Sequence, residues 1–215
     1  MVRTLLRIFA AAVVLGASAC AAAANSGSIP ESTFVGVGTP TSVPYGWVDF
    51  CGRESVECEG PTLPAVDVSL TRASFEKLDR INRQVNALIE PVTNLEHWGT
   101  LLDHWDYPTD GKGDCKVYAL YKRKLLMDIG FPRQALLMTI VRDQEGEGHA
   151  ILTVRTNRGD FVLDNLADDI VGWEQTGYLF IKRQSQEDPN VWLALDPTVK
   201  MRPAADRAHR PAPRV

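Results

Sequence analysis

Three residues that lie far apart in the chain have the side chains that acyl transfer requires. Cys115 ends the stretch Gly-Lys-Gly-Asp-Cys and begins a segment with the pattern of an amphipathic helix. A thiol at a helix N-terminus lies in a field that favours the thiolate. His149, in Gly-Glu-Gly-His-Ala, and Asp164, in Phe-Val-Leu-Asp-Asn, can serve as the base and as the carboxylate that orients it. Together they predict a cysteine nucleophile in a Cys-His-Asp triad.

The positions of the predicted base and carboxylate allow their side chains to meet. His149 precedes a predicted strand over 150–156, and Asp164 ends the next predicted strand, 160–164, after an Asn-Arg-Gly turn. Both residues then lie at the same end of an antiparallel hairpin. The backbone N–H of Cys115, at a helix N-terminus, would be an oxyanion donor. Each residue alone also fits an ordinary surface or loop position, so the prediction depends on the combination.

The rest of the pattern predicts the elements that would position these residues. Apolar residues recur at steps of three and four between Leu70 and Ile89, with Ser69 or Thr71 as the N-cap. A second helical stripe follows Cys115 and ends before Gly130. Strands are predicted over 135–141, 150–156, 160–164, 178–181 and 191–195. Helices followed by an antiparallel meander predict an α+β fold, with the helices packed on one side of the sheet.

Residues 1–24 have the features of a signal peptide. A basic head with Arg3 and Arg7 precedes an apolar run, and small residues follow as far as Ala24. The apolar run is shorter than the roughly 20 residues that span a bilayer. Cys20 leaves lipid attachment as an alternative to simple cleavage. We therefore expect a periplasmic or secreted protein.

Composition and charge indicate a single acidic domain that does not bind nucleic acid. The 215 residues include 23 basic and 27 acidic side chains, and removal of residues 1–24 would leave a net charge of −6. The remaining length suits one domain. No basic patch with interleaved aromatic residues occurs, so we expect no nucleic-acid partner. The composition predicts an irregular segment over residues 25–66, a folded domain over 67–196 and a flexible tail over 197–215.

Two of the three cysteines that remain after cleavage are predicted to form a disulfide. Cys51 and Cys58 are seven residues apart in a loop rich in Gly and Glu. Export would place them in an oxidising compartment, where such pairs are bridged. A zinc pair is the alternative, although no second ligand pair supports it. Cys115 is then unpaired, as either a reactive thiol or a buried structural residue.

Other residues near Cys115 are weaker candidates for a functional role. Trp105 is predicted to line the cleft, with core packing as an equal alternative. His97 and His104 lie among tryptophans and are interpreted as packing or surface residues. Four aspartates have a spacing that does not fit an EF-hand loop: Asp103, Asp106, Asp110 and Asp114.

Several motifs resemble those of a known family. They are Trp105-Asp-Tyr-Pro, Gly113-Asp-Cys115, Gly148-His-Ala-Ile-Leu and Phe161-Val-Leu-Asp-Asn. In this order, and from about Trp47 to Leu195, the sequence resembles the bacterial transglutaminase-like cysteine peptidases. The resemblance implies a papain-like, transglutaminase-like fold, a triad of Cys115, His149 and Asp164, and a periplasmic location. The best-known members are calcium-dependent proteases that clip surface adhesins, and an inner-membrane receptor for a cyclic dinucleotide controls them.

The sequence departs from the family pattern directly after the cysteine. The family commonly has Gly-Asp-Cys-Glu-Asp-Tyr, whereas this chain has Lys116 and Val117 in place of the two carboxylates. The resemblance implies calcium ligands at these positions, and only Asp114 remains, as a weak ligand. A lysine offers no oxygen ligand and adds a positive charge. We therefore predict no cofactor, hypothesise that calcium is not needed, and expect Lys116 to favour the thiolate.

The sequence thus predicts a periplasmic cysteine peptidase that hydrolyses peptide bonds of an envelope or surface protein. The residues that follow Cys115 motivate one alternative, a non-catalytic module that binds a protein partner. A second alternative, transfer of the acyl group to an amine instead of water, would use the same three residues. An inner-membrane regulatory receptor is implied by the resemblance alone.

Overall fold

The computed structural model describes residues 28–203, so the predicted signal peptide, Cys20 and the last twelve residues lie outside it. The helices are α1 (Tyr45–Arg53), α2 (Ser55–Cys58), α3 (Arg72–Leu88), α4 (Asn94–Trp98) and α5 (Cys115–Asp128). The strands are β1 (Phe34–Thr41), β2 (Glu90–Pro91), β3 (Lys112–Gly113), β4 (Leu136–Arg142), β5 (Gly148–Thr156), β6 (Gly159–Leu163), β7 (Val171–Gly172), β8 (Leu179–Gln184) and β9 (Trp192–Met201). Within 28–203, no helix has the length and apolar character needed to cross a membrane.

Seven of the strands form one antiparallel sheet in the order β1-β9-β8-β4-β5-β6-β7. The predicted α+β class is confirmed, with α5 packed against β5 and α3 packed against α5. The order departs from a simple meander after β7, because the chain returns to the free edge of β4, where Thr139 pairs with Arg183. A second, two-stranded sheet pairs β2 with β3 in parallel and ties the end of α3 to the residues just before α5.

Helix α3 follows the predicted apolar stripe. Of the two predicted caps, Thr71 is the one observed: its side chain accepts a hydrogen bond from the backbone N–H of Ser74 in a capping box. Leu78, Ile81 and Val85 lie on the buried face of the helix. Burial of each such side chain contributes roughly 1.5–3 kcal/mol, so this face fixes α3 against the core.

The N-terminal segment differs from the prediction for residues 25–66, which we expected to be irregular. Phe34–Thr41 forms the edge strand β1, and its pairing partner β9 extends to Met201, inside the predicted tail. Only the first three residues of β1 are buried, and the other five are exposed. This strand therefore lacks the alternation that identifies a strand locally. It forms because β9, about 160 residues away in sequence, supplies its hydrogen-bond partners.

Trp105 lies in an aromatic core and not on a cleft wall, which corrects the prediction that it lines the cleft. Its side chain is fully buried, and its ring centroid lies 6.0 Å from that of Trp47 and 6.2 Å from that of Trp192. A Cβ atom at Gly46 would come within 2.1 Å of the Trp105 ring, so only glycine permits this approach. The core-packing alternative is the observed one.

The predicted disulfide between Cys51 and Cys58 is confirmed and joins α1 to α2. The Asn190 amide, just before β9, donates a 2.9 Å hydrogen bond to the carbonyl oxygen of Cys58. The same side chain accepts a 3.1 Å hydrogen bond from the indole N–H of Trp47. The disulfide segment is thereby fastened to the main sheet, and the zinc alternative is excluded because both sulfurs are bonded.

Candidate active site

Helix α5 presents Cys115 as its first residue. Asp114 is the N-cap, and its Oδ1 accepts a 3.1 Å hydrogen bond from the backbone N–H of Lys116. At Gly113, an added Cβ would lie 2.5 Å from the side chain of Val117, so the chain can approach the helix this closely only with glycine. Cys115 is a free, half-buried cysteine. Its sulfur therefore lies at the positive end of a 14-residue helix.

The structure brings His149 and Asp164 together. Leu152 pairs with Leu163 across β5 and β6, so His149 and Asp164 lie at the same end of this hairpin. The Nε2 atom of His149 is 2.8 Å from Oδ1 of Asp164, and both side chains are buried. The carboxylate therefore acts on Nε2 and leaves Nδ1 for another partner.

Cys115 also acts electrostatically on the imidazole of His149. Burial acts to lower the pKa of His149, but the hydrogen bonds and charges of Asp164 and Cys115 outweigh it and raise the pKa to about 10. The pKa of Asp164 is lowered, because hydrogen bonds from His149, Tyr178 and the backbone of Leu166 outweigh the opposing effect of burial. Asp164 and Cys115 thus both act on the imidazole of His149 and favour its protonated form.

Tyr178 is a residue of this site that the sequence analysis missed. Its hydroxyl donates a 2.7 Å hydrogen bond to Oδ2 of Asp164, and its ring packs edge-on against that of His149, with centroids 5.7 Å apart. The backbone N–H of Leu166 donates to Oδ1 of Asp164 at 3.1 Å. In the sequence, Tyr178 was only the first residue of a predicted strand. Its position after Thr-Gly was the one available signal that the backbone turns there.

Lys116 places a positive charge beside Cys115. Its ammonium contacts Oδ2 of Asp114 and lies 3.4 Å from Oδ1 of Asp103. Burial acts to lower the pKa of Lys116, but the negative charges of Cys115, Asp114 and Asp103 outweigh it, so the pKa is raised. The lysine therefore stays protonated and fastens the loop of Asp103 to the start of α5.

The donor set near Cys115 does not fit a calcium ion. Lys116 already bridges two of the four aspartates singled out in the sequence. Asp106 pairs with Arg53 at 3.2 Å, and Asp110 contacts His97 at 2.8 Å. In the part of the chain from 28 to 203, no group of three or more His, Cys, Asp or Glu side chains could hold a metal ion. Calcium needs six to eight oxygen ligands, and each of these carboxylates already contacts a nitrogen atom of Lys116, Arg53 or His97.

Comparison with known families identifies the chain. Residues 37–200 match the family described as bacterial transglutaminase-like cysteine proteinase. The chain belongs to this family. It is therefore a cysteine peptidase, a hydrolase with a transglutaminase-like cysteine proteinase fold, as the motifs around Cys115 predicted.

Solved structures of Legionella pneumophila LapG are similar to this peptidase. One shares 20% identity over 69% of this chain and 77% of its own, with a TM-score of 0.48. A calcium-bound form shares 18% identity over 74% of this chain and 81% of its own, with a TM-score of 0.49. An EGTA-treated form has the same identity and coverage and a TM-score of 0.47. No curated protein matches the sequence.

Proposed function

We propose that this peptidase acts in the periplasm and hydrolyses peptide bonds of an envelope or surface protein through Cys115, His149 and Asp164. The contact of His149 with Asp164, together with the effect of Cys115 on the pKa of His149, is the observation that carries the assignment. Its Nε2 lies 2.8 Å from Asp164, and its pKa is raised to about 10 by Asp164 and Cys115 despite burial. An imidazolium held in this way can stabilise a thiolate and deliver a proton to a leaving group.

The proposed reaction proceeds in two steps. The thiolate of Cys115 attacks the carbonyl carbon, and the backbone N–H of Cys115, at the start of α5, stabilises the oxyanion. The peptide C–N bond breaks as Nδ1 of His149 gives its proton to the departing amine, which leaves a thioester on Cys115. Water then attacks the thioester and transfers a proton to His149. The carboxylic acid departs, and the thiolate–imidazolium pair is regenerated.

We also propose that catalysis does not require calcium. The ammonium of Lys116 lies between the carboxylates of Asp103 and Asp114, next to the nucleophile. A fixed charge there neutralises these carboxylates and favours the thiolate, the two effects that a bound cation would have. Isothermal titration tests this directly: no calcium binding is expected in the wild type. A tight site abolished by Asp114→Asn would contradict the proposal.

The location and partners follow from the predicted signal peptide and the family resemblance. Residues 1–24 have the charge and apolar pattern of an exported precursor, and the disulfide between Cys51 and Cys58 supports an oxidising compartment. Mass spectrometry of the N-terminus of the periplasmic protein should find it at or near residue 25. A fatty-acylated Cys20 would support the lipid-anchored alternative. The inner-membrane regulatory receptor stays a prediction, tested by cross-linking to membrane proteins.

The substrate can be found by comparing envelope proteins. Envelope fractions should be incubated with the wild type or Cys115→Ala, and new protein N-termini identified by mass spectrometry. We expect at least one envelope or surface protein to be cleaved only by the wild type. A fluorescent primary amine added to the same reaction distinguishes hydrolysis from amide transfer, because only transfer incorporates it. Identical fragment patterns with both proteins would contradict the proposed envelope substrate.

A further inference from the structure

The loop that follows β6 begins with Asp164, and two asparagines of α3 donate hydrogen bonds to its backbone. The Nδ2 atom of Asn86 lies 3.0 Å from the carbonyl oxygen of Asp164, 3.3 Å from that of Ala167 and 3.0 Å from Oδ1 of Asp168. The Nδ2 atom of Asn82 donates to the carbonyl oxygens of Ala167 and Asp168, at 3.1 and 2.8 Å. Two amide groups thus hold the backbone of residues 164–168.

The spacing along α3 explains why both asparagines reach the same loop. Residues four apart lie on one face of a helix, so the buried Asn82 and the half-buried Asn86 lie next to each other beside Ile81 and Val85. Asn82 is fully buried. Burying a side-chain amide removes its hydrogen bonds to water. This costs free energy of folding unless hydrogen bonds within the protein replace them. The hydrogen bonds to the loop are therefore what these two side chains contribute.

A third side chain of α3 contacts the loop in a different way. Arg83 pairs with Asp169 at 2.6 Å and lies 3.7 Å from Asp168, on the exposed side of the helix. It reaches only side chains at the far end of the loop and leaves the backbone of Asp164 untouched. Exposed ion pairs of this kind contribute little to stability. Arg83 therefore provides a matched comparison for the asparagines within the same helix and loop.

Asp164 is held from several directions at once. The carboxylate faces His149 of β5 and Tyr178 ahead of β8, and the buried ammonium of Lys122 on α5 adds a positive charge nearby. The asparagine contact acts on the other side of this residue, at its backbone carbonyl. The carboxylate can keep its 2.8 Å contact with His149 only if this backbone stays in place.

We propose that Asn82 and Asn86 are positioning residues, which fix the loop backbone so that Asp164 stays within hydrogen-bonding reach of His149. This inference rests on the proposed function, because it assigns these asparagines to the same triad. Without the Asn86 amide, the carbonyl oxygen of Asp164 loses its side-chain donor and the carboxylate can move away from the imidazole. The imidazolium is then less stable, so the thiolate of Cys115 forms only at higher pH.

The test is the pH dependence of alkylation of Cys115 by iodoacetamide in the purified protein. Asn86→Leu should displace the acidic limb of the profile upward by about one pH unit, which is about tenfold slower labelling at any pH on that limb. The profile should approach that of Asp164→Asn. Asn82→Leu, which loses only the contacts further along the loop, should give a smaller displacement. Arg83→Met should match the wild type, and Asn86→Gln, which keeps the amide, should recover part of the effect.

The outcomes separate this inference from the proposed function. A displaced profile in Asp164→Asn together with a wild-type profile in Asn86→Leu would overturn the positioning role and leave the triad standing. A wild-type profile in Asp164→Asn itself would overturn both. If Asn86→Leu does not fold, as judged by thermal unfolding, Asn86→Ala removes the same donors with a smaller side chain. A wild-type alkylation profile in Asn86→Ala would then overturn the positioning role, and a displaced profile would support it.

Discussion

The hydroxyl of Tyr178 donates a 2.7 Å hydrogen bond to Oδ2 of Asp164, the carboxylate oxygen that does not face His149. The carboxylate is therefore held at both oxygens. Burial and the neighbouring Asp164 charge raise the pKa of Tyr178, so its hydroxyl stays protonated and remains a donor. Tyr178 stabilises the anionic form of Asp164, and through it the imidazolium of His149.

Tyr178→Phe should lower kcat/KM by about tenfold, because it removes a hydrogen bond to a charged group and leaves the ring in contact with His149. The pKa of Asp164 should rise, so the acidic limb of the pH–rate profile should move upward. Tyr45→Phe, on the exposed start of α1, is the matched control and should change neither quantity. An unchanged profile in Tyr178→Phe would show that this hydroxyl has no effect on the carboxylate.

The contribution of His149 to folding should depend on pH in a defined direction. Its pKa is raised from an ordinary 6.5 to about 10 in the folded protein. The folded state therefore holds this proton more tightly, and the stabilisation is fully present below pH 6.5 and lost as pH rises to 10. The difference in free energy of unfolding between the wild type and His149→Gln should shrink by more than about 1 kcal/mol over this range. Guanidinium unfolding at several pH values measures it, and a constant difference would contradict the prediction.

Lys122 should have the opposite dependence. Its side chain is fully buried, and burial lowers its pKa from 10.5 to about 7 despite the charges of Asp164 and Asp168. The ammonium therefore destabilises the folded state below pH 7, and this penalty disappears between pH 7 and 10.5. Lys122→Met should be more stable than the wild type at pH 6, by roughly 1–3 kcal/mol, with a smaller advantage at pH 10.

The control for Lys122 lies on the same helix. Lys124 pairs with Asp128 at 3.5 Å on the exposed side of α5, so Lys124→Met should change stability by less than about 0.5 kcal/mol at either pH. Lower stability of Lys122→Met at pH 6 would mean that the attraction of the two carboxylates exceeds the cost of burial.

The ammonium of Lys116, which lies between Asp103 and Asp114, leads to a prediction about the calcium dependence of activity. Wild-type activity should be unaffected by EGTA, whereas Lys116→Ala should lose about tenfold in kcat/KM because Asp103 and Asp114 lose their shared partner. The double variant Lys116→Glu/Val117→Asp adds two carboxylates and removes the ammonium. Its activity should become dependent on added calcium.

The control for Lys116 is Lys112→Glu, which changes an exposed lysine 4.0 Å from Glu90 and should leave activity independent of calcium. Loss of wild-type activity in EGTA, restored by calcium, would contradict the role given to Lys116. Binding of calcium by the double variant, measured by titration, separates a restored site from a general loss of folding.

Local patterns predicted the elements whose own residues determine them. The stripe of α3, the start of α5 at Cys115 and the hairpin of β5 and β6 all follow from periodicity and turn residues. Strand β1 was missed because its pairing with β9 is remote and most of its residues are exposed. Asn82 and Asn86 lie among the polar residues between the apolar positions of α3. Their role depends on the loop opposite them, which periodicity within α3 cannot reveal.

The alkylation rate of Cys115 at pH 6 tests the central claim, that His149 and Asp164 hold the sulfur as a thiolate. Iodoacetamide labelling of the wild type and of His149→Gln, followed by mass spectrometry of the Cys115 peptide, measures it. An unassisted thiol reacts slowly at this pH, because its ordinary pKa is about 8.5. The wild type should react at least about tenfold faster than His149→Gln. Equal rates in the two proteins would contradict the triad.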